Sequence, residues 1–281
     1  MSRSFVESVL GPTVLVGDRS WGHRASSVVE VRDGRGVSWF VKCLHDRDRY
    51  AAEAAAYRWW VPALGDRAPT LRAADDASQT LVLSSVGATP FPDEAADEVG
   101  EAEIHRQAGE LLRRFHGGQP PAEWADFPAV KLEEFDRWSG RARGLLTVGE
   151  LDFTRGLVRS LSDLGNQVSV PCNLDYGPRN WVVTAGRVQV IDFEWAARDV
   201  WVNDLARLYF GDWQERPDLQ TAFLEGYGRR IDADDRALLI SCGALRAVWL
   251  TVRAHDYGEK QLEEGSRQLL RRLMAARLSE R

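Results

Sequence analysis

The sequence predicts an α+β protein with a small β-rich N-terminal part and a larger, mostly helical C-terminal part. Three observations carry that prediction. Two β-branched and aromatic runs, 26–32 and 37–44, flank Asp33-Gly34-Arg35-Gly36 and read as a hairpin. Beyond residue 90, apolar residues recur at helical spacing, as in Ile104, Ala108, Leu111, Leu112 and Phe115. A single further pair of β runs, 181–184 and 187–191, joined by Ala185-Gly186, interrupts those helices.

Taken in order, the first hairpin leads into a helix over 46–61, rich in Ala with Glu53, Tyr57 and Trp60 at helical spacing and closed by Pro62. A short strand, Thr80 to Leu83, runs into the small-residue segment 84–90, which divides the chain into 1–83 and 91–281. The helix through Phe115 stops at Gly117-Gly118, a glycine end signal. Further helices are expected near 131–144, 153–164, 203–210, 217–229, 233–255 and 262–278.

Composition excludes several classes. With 36 Lys+Arg against 42 Asp+Glu in 281 residues, the net charge of −6 offers no footprint for a phosphate backbone. No nucleic-acid partner is therefore expected. The apolar stretch near the N-terminus contains Glu7 and lacks a basic flank, so a secretory signal is not expected. The stretch 237–252 is interrupted by Arg246 and falls short of the roughly 20 residues that span a bilayer, so it reads as a buried helix and no membrane partner is expected. Cys43, Cys172 and Cys242 are odd in number and lack C-x-x-C spacing, which points to a reducing, cytoplasmic setting. Of the 36 basic residues only Lys42, Lys131 and Lys260 are lysines, which draws attention to each.

The residues with chemical potential cluster in two places. Asp175-Tyr176-Gly177-Pro178-Arg179-Asn180, followed by the second hairpin and Ile191-Asp192-Phe193-Glu194, has the order and spacing of a kinase catalytic loop and its metal-binding aspartate. Phosphoryl transfer needs a carboxylate to orient and deprotonate a hydroxyl, the role open to Asp175. It also needs hard oxygen ligands for Mg²⁺, the role open to Asn180 and Asp192. A two-residue hairpin loop pairs 184 with 187 and brings Asn180 opposite Ile191, so Asn180 and Asp192 end together. In a regular ladder their side chains would alternate to opposite faces, so a slip or an end to the ladder is required there. Upstream, Lys42 on the second strand of the first hairpin precedes Glu53 by 11 residues, the arrangement of a phosphate-binding lysine placed by a helix glutamate. Singly, each has a plainer reading: a chance Asp–Asn spacing, a strand-end turn aspartate, a snorkelling strand-edge lysine. The set together favours a nucleotide site.

Lys42, Glu53, the helix end Leu111-Leu112-Arg113-Arg114-Phe115-His116, Asp175 to Asn180, Trp181, Ile191 to Glu194 and Asp204-Leu205-Ala206-Arg207-Leu208 resemble the aminoglycoside phosphotransferase family. That resemblance implies a bilobal protein-kinase-like fold: a nucleotide-binding lobe over 1–83, a hinge over 84–90, and a catalytic and acceptor-binding lobe over 91–281. It implies transfer of the γ-phosphate of ATP, with GTP left open, to a hydroxyl of a small molecule in the presence of Mg²⁺. The expected acceptor is an antibiotic of aminoglycoside, macrolide, peptide or nucleoside type, giving resistance. A metabolite kinase of choline, sugar or homoserine type and a non-catalytic pseudokinase-like module are the alternatives. A monomer or homodimer fits either.

The same resemblance assigns further positions. No G-x-G-x-x-G lies between Val16 and Val31, which leaves Ser26 and Ser27 to cover the phosphates or simply to form a polar turn. Ser84 and Val86 fall in the hinge, where backbone groups hold adenine. Asp204 resembles an aspartate that braces the catalytic loop. Where the family usually has His-Gly before the catalytic aspartate, this chain has Asn173-Leu174. Trp59, Trp60, Trp195, Trp201 and Trp249 are expected to pack in the interior. Asp256, Glu259, Glu263 and Glu264 would attract a cationic acceptor or form a solvated face.

Overall fold

In a computed structural model, which describes residues 3–20, 26–86 and 100–279, the N-terminal β runs become a five-stranded antiparallel sheet. Its strands are β1 (Thr13–Asp18), β2 (Ser26–Asp33), β3 (Ser38–Leu44), β4 (Leu71–Asp75) and β5 (Thr80–Ser84), in the order β1-β2-β3-β5-β4. The β2–β3 turn forms because Asp33 Oδ1 accepts from the backbone of Arg35 and Val37, while Oδ2 accepts from Trp39 Nε1. β3 is central, and its last four residues, Val41 to Leu44, are all buried. That places Lys42 in a strand flanked on both sides, opposite Val28 and Leu81. Helix α1 (Arg3–Leu10) lays Val6 on Val31 and Val41.

Helix α2 (Arg47–Trp59) starts where Asp46 accepts from the backbone of Asp48 and Arg49, an N-cap that satisfies two orphan donors. Its inward face carries Tyr50, Glu53, Ala54 and Tyr57. Trp59 falls off that face and is 64% exposed, which corrects the expectation that it packs inside. Strands β1 and β4 were not anticipated: Val14 and Leu15 on edge strand β1 are exposed, so β1 lacks the apolar alternation of a half-buried strand.

The chain divides by packing into two units. The first comprises Met1–Pro120, Val170–Arg198 and Arg216–Arg229; the second comprises Pro121–Ser169, Asp199–Glu215 and Arg230–Arg281. In the first unit, helices α3 (Glu101–His116) and α6 (Pro217–Tyr227) pack along their lengths, and His116 Nδ1 meets the Tyr227 hydroxyl at 2.7 Å. Two glycines permit this approach. A Cβ on Gly109 would lie 2.0 Å from the Phe223 carbonyl oxygen, and one on Gly226 would lie 1.8 Å from that of Arg106. Both obstacles are helix backbone, which cannot step aside without separating the helices. Gly226→Ala is therefore expected to destabilise the fold by about 2–3 kcal/mol, the upper end of the usual cost of overpacking. Gly140→Ala, with nothing within 4 Å of its Cβ, should leave the melting temperature unchanged or raised. Equal melting of both variants would refute the close-approach argument.

The second unit is helical, with α4 (Phe127–Ala142), α5 (Val148–Ser160) and α8 (Lys260–Ser279) packed on the long helix α7 (Ala233–Tyr257). Capping boxes start α5 at Thr147/Glu150 and α7 at Asp232/Asp235. By length and composition α7 could cross a membrane, but most of its apolar window is buried inside the protein, as expected for the 237–252 stretch. Lys131 is buried here against Asp199 at 2.7 Å, and Asp199 also accepts from Asn203. Burial opposes the Lys131 charge, but Asp199 and Glu134 outweigh it and hold the ammonium well above the ordinary lysine range.

Two expectations need correction. The segment 203–210 is not an α-helix: a 3₁₀ turn, Trp201–Leu205, is followed by a wide π turn, Leu208–Asp212. The wider turn seats Phe210 against Gly243 of α7, where a Cβ would meet the ring at 2.2 Å. The helices are also interrupted by more than one β element. Strand β6 (Ala122–Trp124) pairs with Gln167, Val168 and Ser169 of β7 (Gln167–Cys172), and at three residues β6 is too short to carry a period. The three cysteines are buried, and none is joined in a disulfide.

Candidate active site

Lys42, Glu53, Asp175, Asn180 and Asp192 all lie in the first unit, and two connections bring them together. The hairpin of β8 (Trp181–Thr184) and β9 (Arg187–Val190) has the expected register, with Thr184 opposite Arg187 and Trp181 opposite Val190. It is held from outside. Gln107 of α3 donates to the Gly186 carbonyl and accepts from Val188 N, while Arg67 donates to the Val188 carbonyl and to Gln107 Oε1. At the far end the ladder stops. Pro178–Asn180 forms a 3₁₀ turn, Ile191 N still donates to the Asn180 carbonyl at 3.0 Å, and Asp192 turns into the left-handed region at φ 66°. This is the irregularity that two side chains serving one site require.

From the sheet side, Lys42 Nζ lies 2.9 Å from Glu53, 2.8 Å from Asp192 and 3.5 Å from Glu194. One lysine thus joins strand β3, helix α2 and the segment after β9. Glu53 is fully buried and also accepts from Phe193 N. Burial opposes the Lys42 charge, but Asp192, Glu53 and Glu194 overcome it and push the ammonium up. Burial likewise opposes Asp192, yet Lys42 and Arg179 hold its carboxyl below the usual range. Glu53 goes the other way: burial pushes its carboxyl up against the pull of Lys42. Glu194 is tied at 3.4 Å to Arg49, whose guanidinium lies 4.0 Å over the Trp195 ring.

The catalytic-loop segment is braced from within. Asn180 Nδ2 donates to the Asp175 carbonyl at 3.0 Å and to its Oδ2 at 3.1 Å, and Arg179 makes an ion pair with the same carboxylate. Tyr176 donates to the Ala108 carbonyl of α3 at 2.7 Å. Asn173 accepts from Asp175 N at 3.0 Å and donates to the Asp192 carbonyl at 2.9 Å, strapping the loop to the segment after the hairpin. Leu174 takes φ 60°, a conformation that costs a side chain roughly 1–2 kcal/mol and suits glycine. The Asn173-Leu174 pair therefore keeps a tie at its first position and accepts strain at its second.

The other expected positions are placed as follows. Ser26 and Ser27 open β2, paired with Leu44 and Cys43; residues 21–25 before them lie outside the described residues. Ser84 ends β5 and its Oγ accepts from Thr70 N. Val86 follows the strand, and hinge residues 87–90 lie outside the described residues. Asp204 is buried in the second unit. Asp256 is taken by Arg141 and Glu263 by Arg267. The sequence reading gave no role to Asn173, Glu194, Arg49 or Arg179. Arg49 and Arg179 carried a signal: each lies four residues from an acid of the set, Glu53 and Asp175.

The donor set suits Mg²⁺. Glu53, Asp192 and Glu194 bring carboxylate oxygens within 4.8 Å of one another. The amide nitrogen of Asn180 is spent on Asp175, which leaves Oδ1 without a protein donor among the described residues. Hard oxygens of this kind are the ligands magnesium takes.

A buried strand lysine shared by a helix glutamate and a post-hairpin aspartate, with an Asp–Asn loop bound in the same unit, defines a kinase-like phosphotransferase. The chain belongs to the phosphotransferase enzyme family (APH), whose family model matches residues 20–239, and it is a small-molecule phosphotransferase. Solved structures agree in fold. A thermostable mutant of aminoglycoside phosphotransferase APH(4)-Ia, in a ternary complex with ADP and hygromycin B, superposes with a TM-score of 0.73 at 12% identity over 96% of each chain. Macrolide 2'-phosphotransferase MphH from Brachybacterium faecium gives 0.63 at 17% over 95% of each. A choline/ethanolamine kinase family protein from Mesorhizobium loti gives 0.69 at 19%, covering 96% of this chain and 90% of that one. No curated protein matches the chain in sequence.

Proposed function

We propose that the protein transfers the γ-phosphate of ATP, with Mg²⁺, to a hydroxyl of a small molecule, and that the acceptor is an antibiotic. The observation that carries the reading is the contact of Lys42 with both Glu53 and Asp192, which unites residues 150 positions apart in sequence. Asp175 orients the acceptor hydroxyl and accepts its proton. Lys42, fixed by Glu53, supplies positive charge for the phosphates. Magnesium held by Asn180 and Asp192 would neutralise phosphate oxygens and align the transferred group. Nucleotide binding is further supported by the ADP in the APH(4)-Ia complex, whose second ligand, hygromycin B, is an antibiotic.

The test is coupled ADP release over a panel of aminoglycosides, macrolides, and peptide and nucleoside antibiotics, with choline, sugars and homoserine alongside. Magnesium-dependent release with an antibiotic is the expected outcome. The metabolites belong in the panel because the choline/ethanolamine kinase family structure shares the fold to the same degree. Release with choline or a sugar alone would replace the antibiotic acceptor. Absence of both release and Mg·ATP binding would sink the phosphotransfer reading.

A further inference from the structure

Resting on the phosphotransfer reading, we propose that Arg179 is a catalytic residue whose guanidinium bridges Asp175 and the transferred phosphoryl group. Its position comes from the turn. Arg179 sits four residues after Asp175 and directly before Asn180, so the 3₁₀ turn Pro178–Asn180 holds it between the proposed base and a proposed metal ligand. Nη2 donates to Asp175 Oδ2, the oxygen that also accepts from Asn180. Asp175 is buried, with 5% of its side chain exposed, whereas the Arg179 side chain is 47% exposed. The guanidinium therefore reaches from an enclosed carboxylate out to an accessible space.

Two further observations point to a ligand anion. A guanidinium has five N–H donors, and Asp175 is the only partner of Arg179 among the described residues. Four donors remain. In addition, the charges of Asp175, Asp192 and Glu194 all act on Arg179, and the last two also act on Lys42. The two cations differ in what they have left to offer. Lys42 is 9% exposed and is met by three carboxylates within 3.5 Å. Charge in phosphoryl transfer spreads over the equatorial oxygens of the moving group, which a planar fork of unused donors matches, whereas Lys42 acts on the nucleotide phosphates as a point charge.

In the transfer, a bond forms between the acceptor oxygen and the γ-phosphorus while the bond from that phosphorus to the β–γ bridging oxygen breaks. ADP departs, and the hydroxyl proton passes to Asp175. Arg179 donates to the phosphoryl oxygens throughout and also keeps Asp175 pointed at the attacking hydroxyl.

The plainer role for Arg179 is a brace for the loop, and the two roles separate by which nucleotide notices the loss. Wild type, R179A and R179K would be titrated calorimetrically with Mg·ADP and with Mg·AMP-PNP, and their melting temperatures recorded. Losing a charge-assisted contact to the terminal phosphoryl should weaken AMP-PNP by about 10- to 100-fold. ADP affinity should stay within about twofold, because ADP lacks the contacted group. R179K should fall between, since lysine keeps the charge without the fork. If R179A melts early, R179K carries the same comparison. An unchanged ratio of the two affinities, or equal weakening of both, overturns the proposal while leaving the phosphotransfer reading intact. Wild type that binds neither nucleotide overturns both.

Discussion

Asp175→Ala is expected to lower turnover by about a thousandfold or more, within the range for loss of a positioned general base, while Mg·ATP affinity changes by no more than about threefold. The dissociation of the two effects follows from the geometry. The Asp175 carboxylate is held by Asn180 Nδ2 and Arg179, and its backbone by Asn173, so the loop retains the Asn173 and Tyr176 ties when the side chain is cut back. The lysine cluster contains no contact with Asp175. Asp175→Asn is the sharper variant, because an amide keeps an acceptor for Asn180 but has no negative charge to take a proton. Single-turnover phosphorylation by rapid quench, paired with nucleotide titration, reads both quantities. Normal phosphorylation by either variant would remove the base assignment.

The parts of this site that could be read from sequence are those fixed by local spacing. Asp175 and Asn180 are linked by one turn, and Asn180 and Asp192 by a hairpin whose two-residue loop sets the register. A strand period and a helix period were enough to place Lys42 and Glu53 on facing elements. What could not be read depends on a dihedral angle or on a partner far along the chain. The left-handed turn at Asp192 is an example, since nothing about an aspartate forces φ 66° there. The strap by Asn173 is another. In sequence it stands out only as a departure from the usual His-Gly, and only the fold places its amide between Asp175 N and the Asp192 carbonyl. Edge strand β1 and short strand β6 escaped for a different reason. One has apolar residues turned outward and the other is three residues long, so neither has the periodicity that identifies a strand.

Lys42→Met should be the most damaging single change to the site, in both stability and binding. It would leave Glu53, Asp192 and Glu194 with carboxylate oxygens within 4.8 Å of one another and, among the described residues, only Arg49, on Glu194, as a direct cationic partner. Removing one member of a buried ion pair typically costs about 3–5 kcal/mol, because the remaining charge stays desolvated. Here Glu53 can relieve part of that by taking up a proton, a direction in which burial already pushes it. The double variant Lys42→Met/Glu53→Gln removes one of the three charges in advance, so it should recover a substantial share of the lost stability in urea unfolding. It should not recover Mg·ATP binding, since the cation meant for the phosphates is still missing. A stability role and a nucleotide role thus part company in one pair of proteins. Should the double variant regain nucleotide affinity along with stability, Lys42 would be a structural counter-ion, and the phosphate contact would have to be sought elsewhere in the first unit.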